Sequence, residues 1–301
     1  LIAAVTGATG TIGQFITNRL LAEGVHVRAW RRPASDISLL PAAVEWLPGS
    51  LSDRQSARAL VAGADLLIHA ALEHVPGRFR GGEGTDPAGF IEANVGGSLN
   101  LMREARDAGV GRCVVLSSRA VFGAAPRTGS VADDASLSAD THYGAVKAAM
   151  EAFVQSWGLG EGWPVAALRP TGVYGLVNPV ERSKWFDLVR NLLTEGKLPA
   201  PRAATEVHGD DVADAVWRLL TAPAGAVAGR AFNCSDGVVS TRDVVALVRE
   251  LTGREGPLPE PGSPPANVMD CAGLHDLGLC FGGEPLLRET LARLIDAVRR
   301  A

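Results

Sequence analysis

In the run His142-Tyr143-Gly144-Ala145-Val146-Lys147, a phenol and an ammonium stand four residues apart. On a helix that spacing puts both on one face. An ammonium beside a tyrosine favours the phenolate, which makes the hydroxyl a usable acid or base near neutral pH. The same spacing occurs by chance on many helices, so its meaning depends on what surrounds it. A second cluster lies in Thr6-Gly7-Ala8-Thr9-Gly10-Thr11-Ile12-Gly13, directly after the apolar run Leu1-Ile2-Ala3-Ala4-Val5. Glycines allow a tight turn and let backbone amides approach a pyrophosphate, and a following helix adds its partial positive charge. The spacing is G-x-x-G-x-x-G, a departure from the general dinucleotide fingerprint. The next apolar run ends in Arg31-Arg32. An acidic residue there would hold a ribose 2′-hydroxyl, whereas guanidiniums suit a 2′-phosphate. The chemistry predicted is therefore NADP binding in preference to NAD.

The elements that must position these residues follow from hydrophobic patterning. Strands are predicted at residues 1–5, 25–30, 44–47, 65–69, 112–117 and 165–168. Helices are predicted near 11–22, 53–61, 89–108 and 143–157. Strands alternating with helices imply an α/β fold with a parallel sheet covered on both faces. A Rossmann-like, doubly wound domain is expected over residues 1–170. After Arg169-Pro170 the pattern loosens, and Pro257, Pro259, Pro261, Pro264 and Pro265 exclude a regular helix across residues 256–265. Helices are predicted at 183–195, 211–220, 241–251 and 286–300. Residues 171–301 are read mainly as a small, non-contiguous C-terminal substrate-capping region, with segments near 205–235 returning to the Rossmann domain.

Composition narrows the partners. Hydrophobic residues make up 47% and charged residues 21%, with a formal charge of 29 − 33 = −4, which suits a globular protein with a buried core. No basic stripe points to nucleic acid and no apolar stretch reaches the length of a membrane span. The opening Leu1–Val5 run is expected to be a strand, with a few preceding residues trimmed or disordered, and not a signal peptide. Cys113, Cys234, Cys271 and Cys280 are scattered without a C-x-x-C pair, so neither a metal site nor a disulfide framework is expected. Reduced thiols in a cytoplasmic compartment fit best.

With the glycine loop and Tyr143-x-x-x-Lys147 on one α/β chain, the sequence resembles the extended short-chain dehydrogenase/reductases, also called the NAD-dependent epimerase/dehydratase family. Further matching segments are Leu67-Ile68-His69-Ala70-Ala71, Asn94-Val95-x-x-Ser98-Leu99-Asn100-Leu101 and Leu116-Ser117-Ser118-Arg119-Ala120-Val121-Phe122-Gly123. Arg169-Pro170-Thr171-Gly172-Val173-Tyr174-Gly175 resembles R-P-x-x-V-Y-G, and Val207-His208-Gly209-Asp210-Asp211-Val212-Ala213 resembles V-H-V-D-D-V-A. The resemblance implies a catalytic set of Ser118, Tyr143 and Lys147, with Ser117 as the fallback serine. It implies cofactor contacts from Gly7, Thr9, Gly10, Thr11, Ile12, Gly13, Arg31, Arg32, Ser50, Leu51, Ala70, Ala71, Asn94, Ser117, Tyr143, Lys147, Pro170 and Val173. The implied activity is hydride transfer between a carbonyl and an alcohol.

Departures from the family pattern narrow that activity. Arg119 and Ala120 stand where dehydratases of the family carry an Asp-Glu pair. Ala204 stands where nucleotide-sugar enzymes commonly place an Arg for the substrate diphosphate. Ser50 replaces the aspartate of the family's G-D-L segment. A reductase is expected, with a nucleotide-sugar epimerase as the alternative and a non-catalytic dinucleotide sensor behind it. Residues 73–90 form a glycine-rich stretch readable as a substrate lid using Arg78 or Arg80, or as a plain solvated loop. Phe122, Tyr174, Trp185 and Phe186 are pocket candidates or core. The resemblance also implies a homodimer through the helices carrying Val95, Leu99, Leu101, Met102, Ala105 and Val146, Met150, Phe153, Val154.

Overall fold

The computed structural model describes every residue except Pro76, Phe79, Arg80, Thr128 and Ala301. The first half runs β1 Ile2–Thr6, α1 Thr11–Ala22, β2 His26–Arg31, β3 Glu45–Pro48, α2 Arg54–Val61, β4 Leu66–His69, α3 Pro87–Ile91, α4 Gly97–Asp107, β5 Arg112–Leu116, α5 His142–Gln155 and β6 Val165–Pro170. The second half adds β7 Gly172–Tyr174, α6 Phe186–Glu195, β8 Ala203–His208, α7 Gly209–Thr221, α8 Ala224–Val227, β9 Ala231–Cys234, β10 Gly237–Ser240, α9 Thr241–Thr252, α10 Ala272–Asp276 and α11 Gly283–Arg300.

Among the described residues, the main sheet has seven strands in the order β3-β2-β1-β4-β5-β6-β9, with every pair parallel. Alternation along these strands feeds two cores. Ala3, Val5, Leu66, Ile68, Val114, Leu116, Ala166 and Leu168 face the layer that contains α1 and α7. Ala4, Leu67, Cys113, Val115, Val165 and Ala167 face the layer of α2, α4 and α5. A strand buried on both sides must be apolar at every position, which is why these runs are continuous. Each fully buried Leu or Ile contributes roughly 2 kcal/mol. The expected doubly wound Rossmann-like sheet is the one observed. Its strand order reverses between β1 and β4, so a crevice opens there at the strands' carboxyl ends.

A smaller three-stranded sheet, β10-β8-β7, packs with α6, α9 and α11 around a separate core that includes Tyr174, Phe186, Val189, Val244 and Leu291. These strands are absent from the sequence reading. They span three to six residues, and β8 carries Glu206 in its middle, so no apolar run marks them. The helix expected from residue 183 starts at Phe186 because Trp185 adopts φ 69, outside helical space. The single helix expected over 89–108 is instead α3, a π-helical turn Glu92–Gly96, and α4. Of the apolar residues expected at a dimer face, Leu101, Met102, Ala105, Val146, Met150 and Val154 are buried within the chain, while Phe153 is exposed. Their side chains pack on the sheet, which leaves a narrower outer face than the sequence suggests.

The four cysteines are free thiols, three buried and Cys280 exposed. Among the described residues, no group of His, Cys, Asp or Glu side chains is placed to hold a metal ion, and no helix is long and apolar enough to cross a membrane.

Candidate active site

The glycine loop connects β1 to α1 and lies against the end of β4. Gly7 has φ +74, and a Cβ there would meet the Ala70 carbonyl carbon at 2.7 Å. Gly13 faces back onto the Gly7 carbonyl so closely that any side chain would fall on it. The Gly10 amide donates to the Gly7 carbonyl at 2.9 Å. No side chain caps α1 and no acidic residue occupies its first turn. The first amides of a helix have no intrahelical acceptor, so this end presents N–H donors and a partial positive charge to an anion. A dinucleotide's diphosphate fits that cradle.

A chain of buried hydrogen bonds fixes the β4 side of the crevice. The amides of Ala70 and Ala71 donate to Thr6 Oγ1 at 3.2 and 3.1 Å. Thr6 Oγ1 lies 2.8 Å from His69 Nδ1, and His69 Nε2 lies 2.7 Å from Ser98 Oγ. Ser98 donates its own proton to the Asn94 carbonyl. The directions follow from that last bond: Ser98 must accept from His69 Nε2–H, and Nδ1 must accept from Thr6. A neutral imidazole is required. Burial, followed by the nearby Lys147 charge, pulls the His69 pKa down to about 3.

At the far end of the crevice, Thr141 caps α5 by accepting from the Gly144 amide at 3.1 Å. A Cβ on Gly144 would meet the Ala120 carbonyl oxygen at 2.5 Å, so glycine lets α5 press against the 119–122 turn that follows Ser118. Lys147 is 8% exposed. Its Nζ donates to the Leu116 carbonyl at 2.6 Å and lies 6.0 Å from the Tyr143 ring centroid. Burial lowers its pKa to about 8, against the opposing pull of Glu151. Tyr143 and Ser118 are both half-buried. Ser118 Oγ accepts from the Ala120 amide at 3.1 Å, which leaves its own proton to donate.

Ser117 differs from its neighbour. It is buried and its hydroxyl donates to Glu151. Arg169 also binds Glu151, through Nε at 2.9 Å and Nη2 at 2.7 Å, and its Nη1 reaches the Asp133 carbonyl at 2.7 Å. The guanidinium lies 4.9 Å above the Phe122 ring, which places Phe122 in the core and not at a pocket wall. Glu151 is a residue the sequence reading missed. Its position four after Lys147, on the same helical face, was the available signal.

The remaining expected cofactor residues divide. Thr9, Thr11, Ile12, Ala70, Ala71 and Val173 are half-buried at the crevice elements, and Pro170 is buried at the end of β6. Arg31 is half-buried at the end of β2, with no salt bridge among the described residues. Arg32 is exposed and lies 3.6 Å from Glu73. Ser50 Oγ lies 3.0 Å from Ser52 Oγ, and Leu51 is buried beneath it. Asn94 and Ser117, both expected at the cofactor, use their side chains within the chain. The Asn94 carboxamide is spent on the Glu73 amide, the Glu73 carbonyl and the Phe90 carbonyl, all at 2.8 Å. Asn94 braces the β4 loop, and Ser117 braces Glu151. In residues 73–90, Arg78 is exposed and Arg80 lies outside the described residues.

The family model described as NAD dependent epimerase/dehydratase family matches residues 3–235. This chain belongs to that family. That family lies in the extended short-chain dehydrogenase/reductase group and is described as NAD dependent. The sterol demethylase protein B of Methylococcus capsulatus is 40% identical over 127 residues, 42% of this chain and 37% of that protein. The 3 beta-hydroxysteroid dehydrogenase/Delta 5-->4-isomerase of Mycobacterium tuberculosis is 28% identical across 96% of this chain and 79% of that protein. The chain spans 37% to 56% of the length of several curated relatives it matches. Among solved structures, the UDP-glucose 4-epimerase of Thermus thermophilus in complex with NAD superposes with a TM-score of 0.79 at 23% identity, covering 100% of both chains.

Proposed function

We propose that this family member is an oxidoreductase that interconverts a carbonyl and an alcohol, with Tyr143 as acid/base, Ser118 as substrate hydrogen-bond donor and Lys147 as the charge that tunes Tyr143. The observation that carries the reading is the buried Lys147 ammonium beside the Tyr143 ring, at the mouth of the same crevice as the glycine loop. NAD(P) bound along residues 7–13 supplies the hydride acceptor or donor. The chain's own residues manage the proton. Hydride addition to a carbonyl builds alkoxide charge, which the Tyr143 hydroxyl neutralises while Ser118 holds the oxygen. Ser118 is favoured over Ser117 because Ser117 is committed to Glu151.

Arg31 supports NADP, since it offers a guanidinium without a salt bridge among the described residues where a carboxylate would serve NAD. The neighbouring structures solved with NAD support the other cofactor. Replacing Arg31 with Asp is expected to shift the NADP(H):NAD(H) affinity ratio at least tenfold toward NAD(H). An unchanged ratio removes Arg31 as the determinant.

For substrate, Ala204 supplies no guanidinium, and the neighbouring Lys184 is held by Glu206 in an ion pair. Neither favours a diphosphate. Relatives named for steroid and sterol chemistry support a secondary alcohol or ketone on an apolar ring system. A homodimer through the outer faces of the α3–α4 segment and α5, where Ile91 of α3 and Phe153 of α5 are exposed, belongs to the same reading. Sedimentation would reveal its mass.

Turnover of a 3β-hydroxysteroid or a cyclic ketone, followed at 340 nm, tests the chemistry. Tyr143→Phe is expected to lower kcat by about 10²–10⁴-fold with dinucleotide affinity held within a few-fold. Near-full turnover in that variant defeats the assignment. The second reading, a nucleotide-sugar epimerase, rests on the full-length fold match to UDP-glucose 4-epimerases. Stoichiometric NAD retained through dialysis, with UDP-glucose converted to UDP-galactose, would establish it instead.

A further inference from the structure

Between the three-stranded sheet and the starts of α9 and α11 lies a cavity of about 380 Å³, within the roughly 300–1,000 Å³ of small-ligand sites. Neither Tyr143 nor Lys147 lines it. Val239, Ala246, Leu247 and Leu287 give it an apolar wall. Its charged lining is of one sign: Glu206, Asp236, Asp243 and Glu284, with no lysine or arginine among the described lining residues. Several of these carboxylates have structural roles. Asp243 completes the capping box of α9 with Ser240, and Glu206 is paired with Lys184. Asp236 Oδ2 accepts from the Gly283 amide at 3.0 Å. Its second oxygen has no partner among the described residues, and Glu284 is exposed at the first turn of α11.

Tyr174 provides the independent sign of a ligand. It is 2% exposed, held edge-on to His208 at 5.0 Å and tilted against Trp185 at 5.2 Å between ring centroids. It lines the cavity, yet its hydroxyl has no hydrogen-bond partner among the described residues. The oxygen is not among the fully buried unpartnered atoms, so it keeps a small accessible face at the cavity wall, where a bound donor can reach it. Burial, and then the carboxylates of Asp236, Asp211 and Glu206, push the phenol's pKa up, so it stays neutral with its lone pairs available.

We propose that this cavity binds a small organic ammonium ion, its N–H groups taken by the Tyr174 hydroxyl and the Asp236 carboxylate, its hydrocarbon body lying on Leu247 and Leu287. An anion would face several carboxylates with no lining cation. A neutral molecule would leave the free Asp236 oxygen without a charged partner, and charge-assisted hydrogen bonds are the stronger kind. The site is independent of the hydride-transfer reading.

The test uses the full chain and three shape-matched probes: cyclohexylmethylammonium, cyclohexylmethanol and cyclohexanecarboxylate. Calorimetry is expected to show saturable binding of the ammonium, at least tenfold weaker binding of the alcohol and none of the carboxylate. Amide shifts in NMR should centre on Val238, Val239 and Gly283. Tyr174→Phe, which keeps the ring packing, and Asp236→Asn should each weaken the ammonium at least fivefold without changing dinucleotide affinity. If Asp236→Asn loosens α11, Glu284→Gln at an exposed position takes its place with the same expected loss. Equal affinity for alcohol and ammonium, ammonium shifts elsewhere only, or unchanged binding in the variants overturns the proposal.

Discussion

Beneath α5, Ser117, Lys147, Glu151 and Arg169 each find a partner inside the chain, whereas in the smaller region the Tyr174 hydroxyl finds none among the described residues. Both regions are buried and both are polar. The first is complete without a ligand, and its hydrogen bonds hold the crevice in one shape before anything enters. The second is incomplete, with an apolar wall and an unused phenol. Substitutions in the first region should therefore appear as lost stability, and those in the second as lost binding.

The contrast breaks most clearly at Glu151. Glu151→Ala leaves the Arg169 guanidinium buried without its carboxylate, and breaking a buried pair costs about 3–5 kcal/mol. Chemical denaturation should show that loss. A cost below about 1 kcal/mol would mean that the α5 network is not the rigid half. The His69 chain comes next. Its folded pKa, about 3, lies below the ordinary 6.5, so between those pH values the unfolded chain takes up a proton that the folded chain refuses. Stability should fall as pH falls through that window, by about 1.4 kcal/mol per unit at most. The acid slope should largely vanish in His69→Gln.

Lys147 gives a similar slope at the other end of the scale. Its folded pKa of about 8 lies below the ordinary 10.5. Between the two the unfolded state holds the extra proton, so stability rises with pH from about 8 to 10.5. Wild type compared with Lys147→Met across that range checks the sign; a falling difference would contradict a buried ammonium. The smallest effect belongs to the other region. Tyr174→Phe removes a hydroxyl with no hydrogen-bond partner among the described residues, so stability should change by less than about 1 kcal/mol, or rise. A loss of 2 kcal/mol or more would show a partner for that oxygen and erase the comparison.

How much of this was legible depended on distance along the chain. The glycine loop and the Tyr143–Lys147 pair declare themselves within a few residues, and alternating apolar runs specify the sheet. Glu151 was readable by the same four-residue rule and was passed over. The cavity around Tyr174 was not readable. It is assembled from short strands without apolar runs and from contacts such as Asp236 with Gly283, far apart in sequence. Asn94 was placed on the crevice by family pattern, but the π-helical turn carries its side chain to the backbone of Glu73 and Phe90.

That turn also sets how this segment can vary in length. A π turn is a helix holding one residue more than regular winding needs. The surplus is absorbed inside the turn, so the helix on either side keeps its register. Winding all of Glu92–Gly96 as plain α-helix would instead rotate everything on one side by about 100°. Either Asn94 and Ser98 would leave the β4 loop and His69, or Leu101, Met102 and Ala105 would leave the core. Natural variation by a single residue should therefore be accommodated in this turn, where it leaves both faces in place.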